Sequence, residues 1–201
     1  SPNRWMTIVG DTAQTSNPAG VEQWEDALSP YVRNRWRSFT LSVNYRTTRQ
    51  IMEASEGVLA EINPAARLPR SIRSSQHEVE LIDRGEEQWS TALRRTVQEL
   101  ARLYPDEHRS CGILVSPAVL SALMDESSDQ PLKTLVGAPV SLVQDAKGLE
   151  YDYVIVTDPV GIVEASPQGL NDLFVAMTRA TQSLAVVHEG ALPYCLSALV
   201  E

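Results

Sequence analysis

The chain has little of what marks several functional classes. It has two cysteines, Cys111 and Cys195, and three scattered histidines, His77, His108 and His188. Their spacing makes no zinc-ligand set, and the sparse thiols fit a reducing, cytoplasmic setting. Cys111 opens the apolar run Cys111-Gly112-Ile113-Leu114-Val115 and reads as a core thiol. No apolar run approaches the roughly 18 residues of a membrane span. Ser1 to Gly10 has no basic start followed by an apolar stretch, so it does not read as a signal peptide. An initiator methionine is also missing, as expected of a piece of a longer protein. Lysine is scarce: Lys133 and Lys147 stand alone, and every other cation is arginine, a skew that a GC-rich genome also gives. The net charge of −9 argues against strong autonomous binding of nucleic acid, which needs clustered cations.

A further absence concerns phosphate chemistry. No G-x-x-x-x-G-K-[ST] loop exists, and Lys133-Thr134 follows Leu132 rather than glycine, so nothing here cradles the β- and γ-phosphates of a nucleotide. Leu123-Met124-Asp125-Glu126 imitates a metal-binding acidic pair. It falls in or after a helix that starts at Pro117, with no phosphate loop upstream, and is rejected.

What is present is a globular pattern, with 43% hydrophobic residues and strand-like runs alternating with amphipathic helices. Strands are expected at Met6–Val9, Leu41–Val43, Val79–Ile82, Ile113–Val115, Val140–Val143, Val154–Thr157 and Leu184–Val187. The helix Ile51–Ile62 gathers Ile51, Met52, Ser55, Val58, Leu59 and Ile62 on one face, and Pro64 ends it. The helix Glu87–Tyr104 gathers Trp89, Leu93, Val97, Leu100 and Leu103. Ser116-Pro117 and Ser166-Pro167 each read as a helix start, an N-cap followed by proline. Asn63–Gln76, rich in Pro, Arg and Ser, reads as a surface connection. This alternation predicts βαβ units and an α/β fold with a mostly parallel sheet, whose functional loops are expected at the carboxyl ends of the strands.

Four short motifs carry chemistry, each with a plainer reading beside it. Gly10-Asp11-Thr12-Ala13-Gln14 follows an apolar run and places a carboxylate and an amide at its end; it also fits an ordinary turn. In Asn44-Tyr45-Arg46-Thr47-Thr48 an aromatic suited to stacking on a base precedes an arginine that can fork onto a phosphate, and Thr47 or Thr48 can cap the next helix. The plainer reading packs Tyr45 in the core and pairs Arg46 with a surface acid. Lys147-Gly148-Leu149-Glu150 sets a turn and a carboxylate before a buried strand, either for a ribose hydroxyl or as a solvated loop. In Val175-Ala176-Met177-Thr178-Arg179-Ala180 a cation sits on an apolar helix, where it needs an anion. That anion is either a ligand or a local acid such as Asp172.

Taken together and in this order, from Thr7 to about Leu192, the motifs resemble motifs III, IV, V and VI of the UvrD/Rep-type superfamily 1 helicases. The resemblance implies a RecA-like domain of P-loop NTPase type, without its own Walker A loop. Residues 1–20 would be the end of a first RecA-like domain and residues 21–201 the second. It further implies that Gln14 senses the γ-phosphate, that Tyr45 stacks on adenine, that Arg46 and Arg179 act as arginine fingers, and that Glu150 holds the ribose, with Lys147 and Gly148 beside it. Gly10 and Asp11 would take part in coupling. The implied cofactor is ATP with Mg²⁺, whose ligands would come from an N-terminal RecA-like domain of the same protein.

Arg46 and Lys147 are about a hundred residues apart, too close for the large helical insertion of UvrD and Rep. With Leu41–Glu53, Pro69-Arg70-Ser71-Ile72-Arg73 and Val186-Val187-His188, that spacing resembles the HelD-type branch, which acts on RNA polymerase. Implied partners are single-stranded nucleic acid, bound weakly by this chain, and RNA polymerase, with no membrane. The rival expectation is a RecA-like docking module without motor function. The two readings differ in whether Gln14, Arg46, Glu150 and Arg179 converge at one edge of the sheet.

Overall fold

Strand residues that are apolar without alternation must be covered on both faces, and the structure does this with two layers of helix. A computed structural model describes residues 6–15, 20–21, 23–33, 35–105, 109–126 and 134–200; His108, Leu132 and Lys133 lie outside them. The elements run α1 (Trp24–Val32), β1 (Val43–Thr48), α2 (Arg49–Ala54), α3 (Glu56–Ile62), β2 (Arg70–Arg73), β3 (Glu80–Asp83), α4 (Trp89–Leu103) and β4 (Cys111–Val115). There follow α5 (Pro117–Glu126), β5 (Thr134–Leu135), β6 (Ala138–Leu142), β7 (Tyr151–Thr157), α6 (Pro159–Glu164), α7 (Gly169–Met177) and β8 (Ala180–His188). Short 3-10 turns occupy Thr12–Gln14, Val143–Ala146 and Tyr194–Leu199.

Six strands form one sheet in the order β3-β8-β7-β4-β6-β5, parallel except at β5. Successive residues of the central strands feed opposite cores. Leu114, Val154, Val156, Leu184 and Val186 pack with Ile51, Val58, Leu173 and Met177 of α2, α3 and α7. Ile113, Val115, Ile155, Ala185 and Val187 pack with Leu93, Val97 and Leu123 of α4 and α5. This is the three-layer α/β architecture that the alternation predicts.

Several boundaries differ from the sequence reading. The expected helix Ile51–Ile62 is two helices that meet at Ser55, where the Ile51 carbonyl accepts from both the Ser55 hydroxyl at 2.7 Å and the Ser55 N–H at 3.1 Å, a sharing that bends helices. Asn63–Gln76 holds β2, which pairs in parallel with β1 as a separate two-stranded sheet. No strand forms at Met6–Val9, where Met6, Ile8 and Val9 are exposed and no neighbouring strand accepts their backbone. Ser116 is an N-cap, accepting from the Val119 N–H at 3.2 Å. Ser166 instead closes a turn by accepting from the Gln168 N–H, and α7 starts two residues later than Pro167. Thr48 precedes α2 without a side-chain cap bond. Leu103 is exposed at the end of α4, and Cys111 is only half-buried.

α7 leans on α6 through Gly169, where an added Cβ would lie 1.9 Å from the Val163 carbonyl oxygen and 2.5 Å from its carbon. Backbone cannot move aside as a flexible side chain does, so Gly169→Ala should cost about 2 kcal/mol or more, read as a lowered urea midpoint. A second expectation concerns alkaline pH. Burial pushes the Cys111 thiol from its ordinary 9.0 up to about 11, and burial also raises Tyr151 and Tyr153. Between those two values the unfolded chain has released the Cys111 proton and the folded chain still holds it. Stability is therefore complete below pH 9.0 and falls as pH climbs toward about 11. Denaturant titrations across that window should show the decline, and Cys111→Ala should make it shallower.

Candidate functional site

Gln14, Arg46, Glu150 and Arg179 meet at one end of the sheet, although 165 residues separate Gln14 from Arg179. Parallel pairing brings this about. Glu150 lies just before β7, and Arg179 lies between α7 and β8. The two strands start side by side, with Tyr151 opposite Ala180 and the Tyr151 N–H donating to the Arg179 carbonyl at 3.0 Å. The cluster thus sits at the amino ends of β7 and β8, not at the carboxyl ends expected from the α/β rule. The carboxyl ends of β4 and β7 are occupied by helix capping. The Ser116 hydroxyl donates to Asp158 at 2.7 Å, and Asp158 accepts from the Gly161 N–H at 3.0 Å.

Arg179 does not lie on the helix, as the sequence reading has it, but in the junction that follows it. It is 4% exposed. Its Nε donates to the Val175 carbonyl at 3.2 Å, Nη1 to the Leu149 carbonyl at 3.3 Å and Nη2 to Gln14 Oε1 at 3.0 Å. Burial first, and then the Arg46 guanidinium, pull Arg179 below the usual arginine range, while Glu150 and Asp11 push it back. Asp172 is not its counter-ion: that buried carboxylate accepts from Gln144 Nε2 at 3.0 Å through one oxygen, and its other oxygen has no partner. Carbonyl and amide oxygens therefore do much of the work assigned to an acid.

Arg46 lies within β1 and pairs with Glu150 Oε1 at 2.5 Å, both side chains being roughly half-exposed. Its backbone is fixed from two sides. Asn44 Oδ1 accepts from the N–H groups of Arg46 and Thr47 at 2.8 and 3.1 Å, and Arg73 donates to the Arg46 carbonyl at 2.8 Å. Tyr45 is not in the core but 69% exposed. Lys147 and Gly148 form an exposed turn, with Gly148 at φ +83°, a conformation glycine adopts without strain. Asp11 lies in the turn beside Gly10, where its carboxylate accepts from the Ala13 N–H at 3.0 Å and from Gln14 Nε2 at 2.9 Å. Sequence reasoning quoted Arg73 only within the stretch Pro69–Arg73, without a role, and missed Asn171; both act through backbone carbonyls. It also missed a concentration of charge: from Arg33 to Arg73 there are eight arginines and three glutamates. Among the described residues no group of three or more His, Cys, Asp or Glu could hold a metal ion, and no helix is long and apolar enough to cross a membrane.

Residues 138–187, from β6 almost to the end of β8, match the family model of the UvrD-like helicase C-terminal domain. Glu150, Lys147, Gly148 and Arg179 all fall inside that match. Among solved structures, the C-terminal domain of a possible DNA helicase from Lactobacillus plantarum WCFS1 is similar with a TM-score of 0.51 and 21% identity, over 77% of this chain and 92% of that one. That likeness shows a shared fold, the RecA-like architecture of a helicase C-terminal domain. The structure of PRRSV helicase aligns at 14% identity over 79% of this chain and 25% of that one, with a TM-score of 0.40, too low to support an inference. No curated protein matches.

The hydrogen bonds of Arg179 give a test that needs no activity. Lysine keeps the charge but cannot reach three separated acceptors from one nitrogen. Arg179→Lys should lower the unfolding free energy of this chain by about 2 kcal/mol, measured by urea denaturation. A change within error would mean that those bonds are worth no more than bonds to water.

Proposed function

We propose that the chain is the C-terminal motor domain of a superfamily 1 helicase-type ATPase, lending residues to an ATP site shared with an N-terminal RecA-like domain. The observation that carries this reading is the convergence of Gln14, Arg46, Glu150 and Arg179 at the amino ends of β7 and β8. A docking module would have no need to gather them. ATP, when bound, supplies the phosphoryl group that passes to water, with Mg²⁺ held by the other domain. Arg46 and Arg179 place positive charge where the leaving phosphates develop negative charge. Gln14, hydrogen-bonded to Arg179, reports that charge to the segment before it. Exposed Tyr45 is free to stack on the base. On nucleotide binding Glu150 would turn from Arg46 to the ribose and Arg46 to the phosphate, exchanging their ion pair for two contacts with nucleotide.

The short interval between Arg46 and Lys147 supports the HelD-type branch as the finer assignment, with RNA polymerase as partner and ATP-driven release from nucleic acid as the outcome. Release of polymerase by the full-length protein, dependent on ATP, tests that finer assignment separately.

Arg46 gives the cleanest mutational test, since its half-exposed ion pair contributes little to stability. In the full-length enzyme Arg46→Ala should lower kcat by roughly 10³-fold with a much smaller change in nucleotide affinity, and Arg46→Lys should not restore it. Tyr45→Ala should do the reverse, raising KM for ATP with a modest effect on kcat. Near-normal kcat in a folded Arg46→Ala enzyme would return the chain to the docking reading.

A further inference from the structure

Among the described residues, two hydrogen bonds hold residues 6–15 to the α/β body. Arg179 Nη2 donates to Gln14 Oε1 at 3.0 Å, and Asn171 Nδ2 donates to the Ala13 carbonyl at 2.9 Å. In the rest of the segment Met6, Ile8 and Val9 are exposed, Ala13 packs on the core, and Gly10 lies against the Trp24 ring of α1. Asn171 lies on α7 and Arg179 in the junction that follows it, so the helix and its end carry the two anchors.

We propose that Asn171 is a positioning residue for Arg179: its side-chain amide holds Ala13 on α7 and thereby keeps the Gln14 oxygen against the Arg179 guanidinium. This rests on the reading of Gln14 and Arg179 given above. The chemistry of the chain of contacts is directional. The Asp11 carboxylate only accepts, so it draws the Gln14 NH₂ group at 2.9 Å. The guanidinium only donates, so it takes the opposite end of the same amide. Gln14 therefore has one orientation, provided that its backbone stays within reach, and the Asn171 bond next door at Ala13 sets that reach. A shift of about 1 Å would break an Arg179 contact that has no spare length. When Asn171 lets go, Arg179 keeps its bonds to Val175 and Leu149 but loses the acceptor that fixes its outer nitrogen.

The test has two readouts. In this chain, hydrogen exchange at the Gln14 and Thr15 amides, which close the 3-10 turn onto Asp11 and Thr12, should quicken on the order of fivefold to tenfold in Asn171→Ala. Asn171→Asp, which has the same shape without the donor, should match it, while amides of β7 and β8 are unchanged. Unaltered exchange in both variants overturns the proposal, and quickening throughout the chain would mark a general loss of stability and also count against it. In the full-length enzyme, Asn171→Asp should lower kcat about fivefold with KM for ATP steady, and should add nothing in a Gln14→Ala background. Additive losses would show that Asn171 acts by another route. If Gln14→Ala itself leaves kcat intact, the proposed function fails, and the exchange data still decide whether Asn171 positions Gln14.

Discussion

A guanidinium buried where a helix ends and a strand begins must find its acceptors in whatever the fold brings near. For Arg179 these come from three parts of the chain: the preceding turn of α7, the loop entering β7 and the turn at Gln14. An unpaired cation there would cost several kcal/mol, so the folded state is the arrangement in which all three are present together. That requirement fixes how α7 meets the sheet, how the loop from Val143 to Glu150 crosses to the amino end of β7, and where the otherwise loosely held residues 6–15 lie. Arg46 and Glu150 then face the same end as a pair that can open, since neither is buried.

The two ends of the sheet divide the labour. At the carboxyl ends, Ser116 and Asp158 are spent on capping α5 and α6, while the buried Thr157 hydroxyl at the end of β7 has no partner. At the amino ends, a partly exposed carboxylate and a partly exposed arginine remain able to exchange partners, and Tyr45, beside that arginine in β1, is exposed. The matched residues 138–187 contain the turn with Glu150 and the junction with Arg179 as well as Asp158.

Much of the α/β plan was legible because fully buried parallel strands write themselves as unbroken apolar runs. Ile113–Val115, Val154–Thr157 and Leu184–Val187 each fall inside an observed strand. Alternation of cores could then be read from successive residues. The failures share a cause, which is that local pattern does not report partners. Met6–Val9 has the composition of a strand but no neighbour to bond; Arg70–Arg73 looks like loop but finds β1. Ser55 splits a helix that periodicity draws as continuous. At the site, motif order named Gln14, Arg46, Glu150 and Arg179. It could not show that they gather at the amino ends, nor reveal what Arg73 and Asn171 do, since their bonds go to backbone oxygens that any residue could supply.

The eight arginines and three glutamates between Arg33 and Arg73 give the molecule a polarity that its net charge of −9 conceals. Arg46, Arg49, Arg70 and Arg73 of that stretch lie on or beside the paired strands β1 and β2, so the molecule carries a local arginine-rich region against an acidic remainder. In the field of an approaching partner it turns before it touches, so that encounters are sorted by orientation as well as by rate. The sorting is strong only within about 10 Å at 0.1 M salt, which makes ionic strength a control on how the molecule arrives, separate from how firmly it stays.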